Sequence, residues 1–385
     1  MRIYQLLTFA VLGSILFFPY QLDTRINYII FIFGVLLLPL FIKKIPLLFH
    51  VFKEDLARKN YTSLFFIGLI ISTLISTFFS INLSSSIFSL ILIVTYFIVF
   101  HTAKFIFPDN KAKNRLIIFF VLINFFLAII SLYYTLINYG DHTSGGVSFM
   151  RVYFGHNHLS ALLLFSIPLS FYLLTCLKQK IYKLFFWIIF VFLMISLYLT
   201  FARVSIISLL TTFLITFFLL FKINKRILIL STLVSSIIII FMLATSVKRA
   251  QELKIRKFNT LSLSVRLGYW QQSFDNFLQH PLIGSGPDTF RIVSKKSPRN
   301  IKPYTFFSHN LFIQLLTDMG IIGFIANLGL LISIIISSFK KLQKSTPMIY
   351  AIWIGMTALV INGLFDYDWQ IASIPFIFWL LAGIL

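Results

Sequence analysis

Three polar features interrupt an otherwise apolar chain, and each carries a group suited to transfer chemistry on an anionic substrate. Arg203 stands in Thr200-Phe201-Ala202-Arg203-Val204-Ser205, a tight turn between two apolar runs. A guanidinium there is either an anchor snorkelling to a membrane edge or a fork gripping phosphate oxygens bidentately. Arg266 stands near Lys254, Arg256 and Lys257. It reads as a second anion ligand or as one more solvated charge. His309-Asn310 precedes a long apolar run. Imidazole is the side chain whose ordinary pKa suits a base near neutrality; the alternative is a histidine that merely marks an interface.

Other candidates are weaker. His156-Asn157-His158 lies where a loop enters an apolar run. Histidines two apart on a helix point to different faces, so a polar rim fits better than a shared metal. Asp366 and Asp368 flank Tyr367, with Trp369 next. An exposed turn with interfacial aromatics is commoner than a paired-carboxylate site. Cys176 is the single cysteine, which leaves no disulfide framework and no thiolate metal site. The nucleotide P-loop, the H-E-x-x-H zinc pattern and the G-x-S-x-G elbow do not occur. Neither a metal nor another cofactor is expected.

The elements that must position these groups are membrane helices. Of 385 residues 59% are hydrophobic and 11% charged, against roughly 25% charged in a soluble domain. Apolar runs of about 18 residues recur along the chain, each long enough to span the hydrocarbon layer. Lipid-exposed backbone must be satisfied within the segment, so these runs are helices. Twelve are expected, near 4–20, 26–42, 61–79, 84–101, 115–138, 157–177, 183–201, 204–221, 226–246, 309–338, 346–364 and 369–385. The first reads as a span rather than a signal peptide, because no small-residue cleavage site follows it. The tenth is long, and a break or tilt is expected near Gly320 and Gly323. Glycines three apart also allow close helix packing, which would fix His309.

Lysines and arginines sort the connections. Those that fall inside when the N-terminus is cytoplasmic hold most of the cations, whereas the short outer loops hold Arg25, Arg151 and Arg203. Both termini are therefore expected in the cytoplasm. Topology accounts for most of the +22 net charge, and no nucleic-acid partner is needed. The long outer loop 247–308 stands apart, with eleven basic residues against Glu252, Asp275 and Asp288. That excess points to an anionic ligand. Within it, Ser264 is expected to cap a helix running to about Gln279. Leu267, Trp270, Phe274, Phe277 and Leu278 share one face, as in a helix lying in the membrane interface. A turn at Gly284-Ser285-Gly286-Pro287 follows.

Taken together, the late outer loop, Arg203, the segment Arg266…Trp270…Pro281-Leu282-Ile283-Gly284-Ser285-Gly286-Pro287, and His309-Asn310 with Gly320 and Gly323 resemble the O-antigen ligase and polymerase superfamily of bacterial envelopes. The resemblance is best over residues 150–385. It implies an all-α integral membrane protein, a single polytopic domain over 1–385, similar to GT-C-like multi-span glycosyltransferases. It further implies an inverting, metal-independent enzyme of the inner membrane with its site facing the periplasm. The donor would be a glycan on undecaprenyl diphosphate, and the acceptor a sugar of the lipid A core. On the resemblance, Arg203 and Arg266 hold the diphosphate and His309 is the general base. Asn310, His156, His158, Trp270 and Lys257 would contact substrate, and Gly284, Gly286, Gly320 and Gly323 would shape the site. The chain ends directly after the twelfth run, which argues against a protein acceptor. The arrangement of Arg203, Arg266 and His309 favours a ligase over a repeat-unit polymerase. A flippase for the lipid-linked glycan is the rival of another class, but the runs are nearly free of internal charge and show no convincing repeat.

Overall fold

The computed structural model describes residues 1–17, 24–137, 156–200, 202–220, 258–297, 305–342 and 347–385. They are helical, and no strand occurs among them. In chain order the helices are α1 (Arg2–Leu16), α2 (Thr24–Ala57), α3 (Thr62–Phe78), α4 (Leu83–Ile106), α5 (Asn110–Ile137), α6 (His156–Cys176), α7 (Lys180–Leu199) and α8 (Arg203–Leu220). After them come α9 (Phe258–Gln279), α10 (Phe290–Lys296), α11 (Leu311–Leu342), α12 (Pro347–Asn362), a 3₁₀ turn (Asp368–Gln370) and α13 (Ser373–Gly383).

Six of these, α2, α4, α5, α6, α7 and α11, are long and apolar enough to cross a membrane. Five shorter apolar helices, α1, α3, α8, α12 and α13, accompany them. The ninth expected run, 226–246, lies outside the described residues, as do Arg151, Lys254, Arg256 and Lys257. The chain is a helical membrane protein.

It divides into two compact units. The first contains Met1–Leu116, Val265–Lys341 and Gly363–Leu385. There α4 packs on α2, α3 and α13, around an aromatic core in which Phe66 lies 4.6 Å from Trp379. The second contains Ile117–Ser264 and Leu342–Asn362. There α6 packs on α7 and α12, and residues 159–170 are buried without interruption. Serines on that helix need no outside partner. Ser166 and Ser170 donate to the carbonyls of Leu162 and Ile167, which keeps hydroxyls compatible with an apolar core.

Helix α9 begins at Phe258, so Ser264 lies within it rather than at its cap. Its polarity is inverted relative to a soluble helix. Gln272 and Ser273 are buried, whereas Leu267, Phe274 and Leu278 are exposed. The polar face is turned to the protein because partners wait there. Asn276 donates to Ser285 Oγ at 3.1 Å and to the Thr317 carbonyl at 3.2 Å. An exposed apolar stripe on such a helix suits a lipid interface.

Candidate functional site

The site in the first unit is built on a broken helix. α11 departs from helical geometry at Gly320, where φ is 62° and ψ −164°. In an unbroken helix the Thr317 and Asp318 carbonyls would accept from Ile321 and Ile322. Instead they accept from the N–H groups of Ser285 (3.0 Å) and Gly286 (2.9 Å). The stranded N–H groups of Ile321 and Ile322 donate to Pro281 O (2.9 Å) and Leu282 O (3.3 Å). The Pro281–Pro287 segment therefore replaces the missing turn of the helix, bond for bond. Apolar surroundings demand that replacement, since unsatisfied backbone groups there cost several kcal/mol each.

This clasp explains the glycines. A Cβ on Gly320 would stand 2.5 Å from Ile283 N, and one on Gly284 would stand 2.5 Å from Met319 N. Gly286, with φ 108°, abuts Ser80, whose Cα would be 2.9 Å from an added Cβ. Gly323 makes room for Met319 of its own helix. The expected helix-to-helix contact at the glycine pair is thus replaced by a loop and a neighbouring side chain, because the break turns Gly320 towards the 281–287 backbone. Ser76 and Ser86 fasten the clasp from α3 and α4, donating to Asp318 O and Pro287 O.

His309 sits immediately before this helix. Its φ is 57°, a left-handed conformation uncommon outside glycine and maintained only when surroundings enforce it. Here the enforcement is visible. Asn310 Nδ2 donates to Leu364 O at 2.7 Å, while Asn310 Oδ1 accepts from the N–H groups of Phe312 and Ile313, capping α11. Leu311 N donates to Gly363 O at 2.7 Å. Trp270 Nε1 donates to Ser308 O at 3.0 Å. The imidazole lies between Tyr269, stacked at 6.0 Å, and Tyr367, edge-on at 4.6 Å.

The 363–368 turn supplies two further elements. Arg266 Nη1 donates to Phe365 O at 2.8 Å, which draws the guanidinium to the turn that faces His309. Asp366 Oδ1 lies 4.0 Å from His309 Nδ1. That is ion-pair range rather than a direct hydrogen bond, and catalytic contacts are often long before substrate binds. Asp366 is buried, and the His309 side chain is 22% exposed. The expected exposed turn therefore holds a buried carboxylate beside the histidine. The signal for it was the presence of two acids in an apolar stretch, where unpaired charge is expensive. Asp318, buried six-tenths of the way along the 309–323 segment, was likewise missed.

The first unit brings together His309, Asn310, Arg266, Trp270 and the four glycines. Arg203, His156 and His158 belong to the second unit. Arg203 is exposed and opens α8. Behind it Ser205 joins Ser160 (2.7 Å) and Asn362 (2.9 Å) in a buried hydroxyl–amide chain. His158 is buried, and His156 is the first residue of α6. Among the described residues no group of three or more His, Cys, Asp or Glu is placed to hold a metal.

Residues 188–328 match the family model described as O-antigen ligase. That interval holds Arg203, Arg266, the clasp and His309; Asp366 lies beyond it. No curated protein matches the chain.

Proposed function

From the superfamily match as premise, we propose that this protein is an O-antigen ligase. It transfers a glycan from undecaprenyl diphosphate to a sugar hydroxyl of the lipid A core, on the periplasmic side of a twelve-span inner-membrane fold. The observation that carries this reading is the union of Arg266, His309 and Asp366 at one turn.

The acceptor hydroxyl attacks the anomeric carbon of the donor. The new C–O bond forms as the bond from that carbon to the diphosphate oxygen breaks, and the proton passes to His309. Asp366 faces Nδ1, which directs Nε2 to the acceptor and stabilises the imidazolium as it forms. A positioned base contributes about 10²–10⁴-fold. Charge accumulates on the departing diphosphate, and a fixed guanidinium stabilises it most where water is excluded. Arg266 is held for that task by Phe365 O. Arg203 is assigned the same ligand on the resemblance. No nucleotide is needed, because the donor arrives activated.

The test is a gel of lipopolysaccharide from cells lacking the protein, complemented with wild type or His309→Ala, with the carrier-linked glycan probed in parallel. Bare core with long chains on the carrier, unrescued by a well-expressed His309→Ala, is expected. Core bearing a single repeat would make the protein a repeat-unit polymerase instead. An unchanged pattern in every strain would sink both.

A further inference from the structure

In the second unit, Phe125 of α5 meets Phe192 of α7 edge-on at 5.3 Å. Towards the start of both helices from that contact lies a hollow of about 670 Å³, open to the surface. Its wall is apolar throughout, with Ile118 and Leu122 on one side and Ile181, Leu184, Phe185 and Ile188 on the other. Spaces of that size hold small ligands, but a nucleotide or a sugar would lose its hydration here and find no polar partner. A second helix fits poorly as well. Helices meet closely in lipid through Gly, Ala, Ser or Thr, and none of these occurs between Leu177 and Phe192. A hydrocarbon chain needs neither polar partners nor small residues.

One end of the hollow is rimmed by cations. Lys178, Lys180 and Lys183 alternate in sequence with the lining residues Leu177, Ile181 and Leu184, and all three lysines are exposed. The link between α6 and α7 that carries them is tight. Leu177 N donates to Leu173 O at 3.2 Å, and Lys183 N donates to Gln179 O at 3.1 Å. The described residues of this unit include no Asp or Glu, so no carboxylate among them balances the rim. Exposed Tyr182 and Trp187 are the aromatic types that gather at a membrane interface. Ile188 lies about 10 Å further along the helix than Ile181, so the hollow runs from headgroup level into hydrocarbon. Arg203 follows the other end of α7, about 30 Å away, which puts the rim on the membrane face opposite that arginine. Lysines that only fix topology need no cavity beside them; here an apolar slot and a cationic rim adjoin.

We infer that the hollow and its rim form a site for an anionic phospholipid. One acyl chain fills the slot, and the phosphodiester sits among Lys178, Lys180 and Lys183. Lysine suits such a head as a compact charge that needs no fixed fork geometry, and each one near the membrane surface favours anionic lipid about fivefold. A zwitterionic phospholipid would fill the slot equally but bring its own cation to the rim. The site is independent of the chemistry assigned to His309 and binds whether or not a glycan is transferred.

The full-length protein in detergent would be titrated with phosphatidylglycerol and with phosphatidylcholine of the same acyl chains, and the lipid adducts counted by native mass spectrometry. Phosphatidylglycerol is expected to form the first adduct at least about tenfold more tightly, as two or three lysines supply. The triple variant Lys178→Gln, Lys180→Gln, Lys183→Gln should lose that preference. The triple variant Lys43→Gln, Lys53→Gln, Lys59→Gln removes the same net charge from exposed positions of the first unit and should keep it. Leu184→Trp fills the slot from an exposed position and should weaken phosphatidylglycerol with every lysine in place, which keeps the test alive if the rim variant inserts poorly. Arginine at the three rim positions should bind as wild type does. Equal binding of the two lipids by wild type would overturn the site. So would equal losses in the two glutamine variants, or wild-type binding by Leu184→Trp. Preference for undecaprenyl phosphate over phosphatidylglycerol would give the slot to a carrier lipid and overturn the phospholipid assignment.

Discussion

Replacing Gly320 by alanine attacks the clasp at one atom. With φ 62° and ψ −164°, the residue occupies backbone space essentially reserved for glycine, where another residue costs of order 1–3 kcal/mol. The added methyl would also stand 2.5 Å from Ile283 N and Leu282 O. Both are backbone atoms, and Leu282 O is itself one of the groups hydrogen-bonded across the break, so neither can rotate aside as a side chain would. Relief requires the 281–287 segment to move out, weakening bonds worth about 1 kcal/mol each. The sum is about 3–5 kcal/mol. At about two degrees per kcal/mol for a large domain, the midpoint of thermal unfolding in detergent should fall by roughly 5–10 °C. Gly68→Ala is the control. That glycine lies inside α3 with Ala326 Cβ 4.0 Å from the built position, so alanine should be neutral or stabilise by up to about 1 kcal/mol. Hydrogen exchange reports the same event locally, with Ser285 and Gly286 amides losing protection only in Gly320→Ala. If the two variants unfold together and both keep those amides protected, the clasp does not hold the helix as argued.

Other expectations follow from the histidine loop. His309→Ala should lower glycan transfer by about 10²–10⁴-fold. Asp366→Asn should lower it less, on the order of tenfold to hundredfold, because the base remains but its orientation and charge support are weakened; equal losses would assign Asp366 a direct role. Trp270→Phe removes the donor to Ser308 O and should cost about 1 kcal/mol of stability, with transfer falling alongside, both read in the same detergent preparation. Although Asp288 keeps open surface towards solvent, desolvation of its carboxyl pushes it up to about 6, with Arg291 opposing. Its folded pKa is raised, so the stabilisation is complete below the usual carboxylate value and is lost as pH rises through about 6. Asp288 is an exposed residue, so solvent screening should keep the effect under about 1 kcal/mol. Asp288→Asn should flatten the unfolding midpoint between pH 4 and pH 6, at about that scale, and an unaltered slope would refute the assignment.

Local signals were legible in the sequence, and distant pairings were not. The break at Gly320 was expected from length and glycine spacing, and Arg266 and His309 were singled out by residue type. What fills the break was hidden, because Pro281–Pro287 reads as an ordinary turn until its amides are seen on Thr317 and Asp318. The glycines looked like helix-packing devices for the same reason. Asp366 was passed over because Asp-Tyr-Asp-Trp has the composition of an exposed interfacial turn, and its proximity to His309 depends on the Leu311–Gly363 and Asn310–Leu364 bonds. On α9 Leu267, Phe274 and Leu278 are exposed, whereas Trp270 turns to Ser308 O, a pairing no periodicity reveals; the start was placed at Ser264 because a capping residue is a local cue and the helix extends past it.

The clasp also bears on the order of synthesis. Residues 281–287 are made before α11, so the segment that completes the helix already exists when Thr317, Asp318, Ile321 and Ile322 enter the bilayer. Until it docks, those four residues can pair with one another as a straight helix, at the expense of the bend. The nascent chain thus has two hydrogen-bonded forms of the same helix, and the bent one is reached by exchange of partners rather than by gain of bonds from nothing. A mutation that slows docking would leave protein inserted and helical yet lacking the bend on which the histidine loop is mounted, a defect that abundance and helicity measurements would both overlook.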